Sequence, residues 1–294
     1  MKTKLKKYFI LVLKISVSLG ALYFVFTKIK VQEVLELYKQ SNILYIIIAV
    51  LLFTFSKTIA AFRLNKFFTQ TGIQLPHGTN LKLYILGMFY NLFLPGGIGG
   101  DGYKIFLLNR NFDVKAGRIF WAILVDRLSG MLALFCLAVG LLSFLPQLPF
   151  PFDYRAYVWI LIPVGLLTFF LIWKKYYPYF IKVFTPTTLQ SFLVQITQTV
   201  CAFFILLALG HNGSALNYLL LFLISSIVAT LPITIGGIGS RELTFLFGAP
   251  LLGLNTDTSI ALSLMFYLIT AFVSFFGIIY SINTSAIGLS TKKK

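Results

Sequence analysis

Runs of apolar residues long enough to cross a lipid bilayer constrain this chain more than anything else in it. A bilayer core roughly 30 Å thick takes about 20 consecutive apolar residues to span as a helix. Six stretches reach or approach that length: Tyr8–Thr27, Ile43–Phe62, Ile119–Leu145, Tyr157–Trp173, Leu189–Leu209 and Ser259–Tyr280. With 58% hydrophobic and 11% charged residues and a mean hydropathy of +0.89, the chain holds more apolar side chains than a water-soluble domain of 294 residues can bury. The sequence therefore predicts an all-α integral membrane protein.

A formal charge of +17 invites a nucleic-acid reading, but the lysines and arginines sit in short blocks beside apolar runs, which is the pattern of membrane topology. Lys2, Lys4, Lys6 and Lys7 place the start of the chain in the cytoplasm, and Lys292, Lys293 and Lys294 place its end there, so the number of crossings is even. The run after Lys7 continues apolar through Phe26, too long for a signal core, and is expected to be retained as a span. Six full spans satisfy the count if two further apolar regions, 81–118 and 214–254, each enter and leave from one side. Inside segments then hold 17 of the 25 basic residues, Arg63 and Lys104 among them. Lys14 and Lys57, near the cytoplasmic ends of their spans, read as snorkelling side chains. Cys136 and Cys201 both fall within apolar runs and imply no disulfide framework.

Those two further regions share a pattern. Leu94-Pro95-Gly96-Gly97-Ile98-Gly99-Gly100-Asp101 is matched by Leu231-Pro232 and then Gly236-Gly237-Ile238-Gly239-Ser240-Arg241, about half the chain later. The spacing predicts a duplication, with a first repeat over 1–145 and a second over 157–280. One repeat starts inside and the other outside, which makes the repeat inverted. Broken apolar segments at matching positions of two such halves point to a transport site.

Non-helical backbone cannot face lipid, because each unpaired N–H or C=O there costs several kcal/mol, so both glycine stretches belong in a buried or hydrated place. Proline stops the incoming helix and glycine allows close approach. The amides of Gly96, Gly97, Gly99, Gly100, Gly236, Gly237, Gly239 and Ser240, with the Arg241 cation, form a candidate site for a phosphate or lipid headgroup. Asn91, Asp101, Lys104, Asp126, Arg127 and Glu242 form a candidate polar path or gate. Asp101 and Glu242 fit helix-dipole capping equally well. Arg241 opposes the dipole at its helix start, which suits either an internal carboxylate or a phosphate. Asp126 and Arg127 point about 100° apart on a helix and are expected to address different partners. Lys104, Arg110, Lys115 and Arg118 fit either attraction to anionic headgroups or ordinary positive-inside bias. Val31 to Gln40 reads as an outer interfacial stretch. His77 and His211, in loops, have no ligand-spaced companions, so no metal or cofactor is expected.

Taken in order, Asn91-Leu92-Phe93-Leu94-Pro95, Gly99-Gly100-Asp101-Gly102-Tyr103-Lys104, Asp126-Arg127 and Leu231-Pro232 with Gly236 through Glu242 resemble the membrane domain of lysylphosphatidylglycerol synthases and its stand-alone relatives. The resemblance implies translocation of a polar, phosphate-containing lipid, aminoacylated in the fused members, between leaflets of a bacterial-type inner membrane. It also implies a separate lipid-modifying enzyme as partner. With the chain ending at Lys294, no lysyltransferase domain is expected in it. The expectation is thus a lipid flippase and not an enzyme. The alternatives are a secondary transporter of a small organic anion and, more weakly, an intramembrane lipid-modifying enzyme or accessory subunit.

Overall fold

The computed structural model describes residues 31–93, 99–145, 155–211, 213, 215–231 and 239–289, together with 23 and 27. The predicted span Tyr8–Thr27, apart from Tyr23 and Thr27, and the glycines at 96, 97, 236 and 237 lie outside that set. Among the described residues the fold is all-α, with no strand. An amphipathic helix α1 (Val31–Lys39) leads into α2 (Ile43–Gln70), α3 (His77–Phe93), α4 (Gly99–Asn111), α5 (Ala116–Leu142), α6 (Arg155–Tyr176), a 3-10 segment (Pro178–Val183) and α7 (Phe184–Ala208). The chain continues through α8 (Leu216–Thr230), α9 (Ser240–Leu251), α10 (Thr256–Phe275) and α11 (Ile278–Ile282), and finishes on a second 3-10 turn, Thr284–Ile287.

Among the described residues, five helical stretches are long and apolar enough to cross a membrane: Ile43–Gln70, Ala116–Leu142, Tyr157–Tyr176, Pro178–Ala208 and Thr256–Ile282. They coincide with five of the six predicted spans. Apolar side chains cover their outer faces. On α2, Ile43, Ile47, Leu51 and Phe55 recur at the four-residue step that lines up one side of a helix, and all are exposed. α6 shows Trp159, Ile160, Val164, Leu167 and Leu171 outward, with only 11% of its span buried. Such a surface is stable against lipid and would aggregate in water. The chain is a multi-pass membrane protein.

Local chemistry sets the helix starts. Asn42 caps α2 by accepting from the Leu44 amide at 3.0 Å, and Asn255 caps α10 by accepting from the Thr258 amide at 2.8 Å. α1 packs on α10 through Val34 and through the Tyr38 hydroxyl, which donates to the Ala261 carbonyl at 2.9 Å. Between the long helices lie two pairs of short ones, α3 with α4 and α8 with α9, and within each pair the helices pack on each other. α4 and α9 have 13 and 12 residues, well short of a crossing. The elements recur along the chain: α2 and α7, α3 and α8, α4 and α9, and α5 and α10 each begin 139 to 141 residues apart.

Small residues set the closest approaches. α2 and α7 make the broadest helix contact, where Cys201 Sγ donates to the Ala49 carbonyl at 3.2 Å, and the small residues Ser56, Ala60, Ser191 and Ala202 of the same two helices are buried. Where α4 crosses α3, a methyl on Gly100 would sit 1.9 Å from the Gly87 carbonyl oxygen, whereas one on Gly102 would meet nothing. Gly100→Ala must therefore push two helices apart at a cost of about 1–3 kcal/mol. Gly102→Ala is expected to leave stability unchanged or raise it by up to about 1 kcal/mol. Thermal unfolding of the two variants in detergent checks this, and equal midpoints would contradict the described crossing.

The buried apolar side chains form two main clusters, one around Phe53, Phe222 and Phe266 and the other around Phe67, Leu108 and Trp173. Between them lies a cavity with charged groups on a mostly apolar wall, lined by Phe53 and Phe266 from the first cluster and by Leu64 and Ile123 from the second.

Candidate functional site

The cavity has a volume of about 500 Å³ and collects most of the charge buried in the protein. Lys57, Arg63, Lys104, Arg127 and Arg241 line it, and among the described residues Asp101 and Asp126 are the only carboxylates on its wall. Amides and hydroxyls complete the polar part, among them Asn91, Gln195, Gln198 and Tyr84. Leu231, the last described residue before the second glycine stretch, also lines the cavity and is 42% exposed.

Apart from Lys57, the charges are held in three groups, each joining three helices. In the first, Arg63 on α2 forks onto Asp126 on α5, with Nε donating to Oδ1 at 2.7 Å and Nη2 to Oδ2 at 3.1 Å. Its third nitrogen, Nη1, donates to Ser191 Oγ on α7 at 2.8 Å. Both ionic side chains are buried, and the fork satisfies the lone pairs that burial would otherwise leave empty.

The second group centres on Asp101 in the first turn of α4. One carboxylate oxygen accepts from Lys104 Nζ at 2.9 Å and the other from Arg127 Nε on α5. The ammonium of Lys104 also lies 4.8 Å from the centre of the Tyr84 ring on α3, and its stem passes over Gly87, where a methyl would come within 2.2 Å of Lys104 Cε. Asp101 thus serves the ion network. Asn91, on the preceding helix, accepts from the Gly100 amide through Oδ1 at 2.8 Å and so satisfies one of the first amides of α4.

Arg241 forms the third group. Its guanidinium lies over two rings, Phe222 on α8 at 5.4 Å and Phe266 on α10 at 4.8 Å. Its Nη1 is shielded from solvent and has no hydrogen-bond partner among the described residues. Its neighbour Glu242 turns away: Oε2 accepts from the Gly239 amide at 2.7 Å and Oε1 accepts from Ser263 Oγ at 2.9 Å. Glu242 is therefore the capping residue of α9, and Gly239 takes the positive φ of +84° that the turn into α9 requires.

Of the residues singled out in the sequence, Asn91, Asp101, Lys104, Asp126, Arg127 and Arg241 meet at the cavity. Gly99 and Ser240 are the first residues of α4 and α9. The amides of Gly100 and Gly239 are engaged by Asn91 and Glu242, so at these two positions the break is closed from within. Asp126 and Arg127 address different partners, as the helical step requires.

Three expectations need correction. Arg63 is not a loop charge: α2 runs on to Gln70, which carries Arg63 inside the bundle, and Lys104 is likewise buried. Lys57 does not snorkel outward but lines the cavity, its ammonium 4.8 Å from the Phe53 ring. His77 opens α3 and packs edge-on against Phe62 instead of lying in a loop. The sequence reading also passed over Gln195 and Gln198. Two amides three residues apart in an otherwise apolar span share a helix face, and that signal marks a polar interior.

A family model for the lysylphosphatidylglycerol synthase TM region matches residues 11–277 of the chain. No curated protein matches it.

Proposed function

The chain belongs to the lysylphosphatidylglycerol synthase TM region family, and from that premise we propose that it is a lipid flippase, moving a phosphate-containing lipid between leaflets with the headgroup in the central cavity and the tails in the bilayer. The observation that carries this reading is the cavity's charge: five cationic side chains against two carboxylates among the described lining residues. Moving a phosphate through bare hydrocarbon costs at least several kcal/mol, and fixed cations in a polar pocket lower that barrier. We read the two short-helix pairs as re-entrant and the two halves as an inverted repeat, supported by the recurrence of element starts and by the exchange of contacts, with α5 packing on α8 and α10 on α3. The chain acts on this reading as a transporter and not as an enzyme, and it resides in the inner membrane with cytoplasmic ends.

Reconstitution into liposomes with leaflet-resolved labelled lipids is the direct test. Lipid exchange should exceed that of protein-free vesicles, and the double variant Arg127→Ala, Arg241→Ala should lose it. Exchange that persists unchanged in that variant would remove both residues from the mechanism.

A carrier of a small soluble organic anion would use the same cavity charge. A water-soluble ligand that saturates the detergent-purified protein without lipid would favour that reading. Orientation is tested with single cysteines at Lys115 and Leu251, both exposed, in a background where Cys136 and Cys201 are alanine. The inverted arrangement predicts labelling from opposite faces of the membrane, and labelling from one face would contradict it.

A further inference from the structure

The cavity's ion pairs do not balance. Arg63 and Asp126 neutralise each other, and Asp101 answers two cations, Lys104 and Arg127. Lys57 and Arg241 make no ion pair with any described carboxylate, and they lie over the two members of one ring pair, Phe53 and Phe266, whose centres are 5.6 Å apart. The whole chain has only eight Asp and Glu residues. Glu33, Glu36 and Asp257 line a separate surface pocket and Asp113 another, while Asp153 lies outside the described residues. The stretches 94–98 and 232–238, which join the short helices, contain no ionisable side chain. Glu242, behind Arg241, has its carboxylate committed to Gly239 and Ser263. Counting Glu242 with Asp101 and Asp126 still leaves a surplus of two positive charges around the cavity.

Two uncompensated cations facing one low-dielectric pocket repel each other, and an anion between them removes that repulsion while both stay charged. From this, and resting on the flippase reading above, we infer that the cargo headgroup is a dianion, a terminal phosphomonoester or diphosphate held between Lys57 and Arg241, and not an aminoacylated headgroup. A phosphomonoester carries about −1.5 to −2 charges near pH 7 and three acceptor oxygens, enough to engage an ammonium and a guanidinium at once. A phosphodiester supplies one negative charge and leaves one cation unanswered. A lysyl ester of phosphatidylglycerol adds two ammonium groups to one phosphate and brings positive charge to a site already positive.

The test uses the full chain in two settings. In detergent, binding of short-chain phosphatidic acid, phosphatidylglycerol, lysylphosphatidylglycerol and inorganic phosphate is compared. In vesicles, transfer of the three labelled lipids between leaflets is followed. Phosphatidic acid is expected to bind and move fastest, with a preference over phosphatidylglycerol of roughly tenfold for one added charge-assisted contact. Lys57→Gln and Arg241→Gln should each erase most of that preference while retaining the lysines and arginines paired to Asp101 and Asp126. Lysylphosphatidylglycerol handled as well as phosphatidic acid would overturn the dianion inference and leave the flippase reading standing. Selective binding of phosphatidic acid without transfer in vesicles would uphold the dianion inference and overturn the flippase reading. Inorganic phosphate binding as tightly as phosphatidic acid would uphold the dianion chemistry and assign it to a soluble cargo. A preference unchanged in both variants would overturn the assignment to Lys57 and Arg241.

Discussion

Asp126→Ala is expected to destabilise the protein by about 3–5 kcal/mol, the cost of leaving a buried guanidinium without its carboxylate. Arg63 would keep one hydrogen bond, from Nη1 to Ser191, and lose the two that neutralise it. Both members of the pair are buried, so the water able to replace the missing oxygens is that of the cavity they line. The double variant Arg63→Met, Asp126→Leu removes both charges at similar volume and should recover most of the loss, since a well-packed apolar pair avoids desolvation altogether. Unfolding in detergent distinguishes the cases. A single variant as stable as the parent would contradict the buried fork, and a double variant no better than the single would show that Arg63 contributes more than its charge.

Arg241→Leu should behave in the opposite sense. The native side chain gains about 0.5–2 kcal/mol from the faces of Phe222 and Phe266. It loses about 1–3 kcal/mol through a shielded donor with no partner. These terms nearly cancel, so leucine should leave stability within about 1 kcal/mol of the parent. Transport should nevertheless fall by at least roughly tenfold, because one charge-assisted contact to the cargo is gone. A variant that loses stability and activity together would mean that Arg241 holds the fold. One that loses neither would take it out of the site.

Together the two substitutions separate what charge does at this cavity. The Arg63 fork ties α2, α5 and α7 together and is internally complete. Arg241 ties α8, α9 and α10 through ring faces and leaves part of its charge unspent. Asp101, between Lys104 and Arg127, stands between these extremes and links a short helix to a long one.

Much of this was readable from the chain, and what escaped shares a cause. Hydropathy located five of the described spans because lipid-facing residues such as Ile47, Leu51 and Phe55 must be apolar whatever lies across the bundle. Proline and glycine located the breaks before α4 and α9 because backbone geometry is local. The 100° step separated the partners of Asp126 and Arg127 without identifying them. Arg63, in contrast, lies 63 positions from Asp126, and nothing local tells a buried arginine near a span's end from one in a loop. Lys57 was read as snorkelling for the same reason. The tightest glycine contact, Gly100 against Gly87, depends on how two helices cross, so sequence offered only that a glycine stood there.

Native mass spectrometry of the purified protein, released from detergent with its lipids retained, tests the central claim most directly. The account predicts one anionic phospholipid held per chain in the parent and its loss in Arg241→Leu, with the variant still folded. An empty parent, or a lipid held equally by parent and variant, would contradict a headgroup site in the charged cavity.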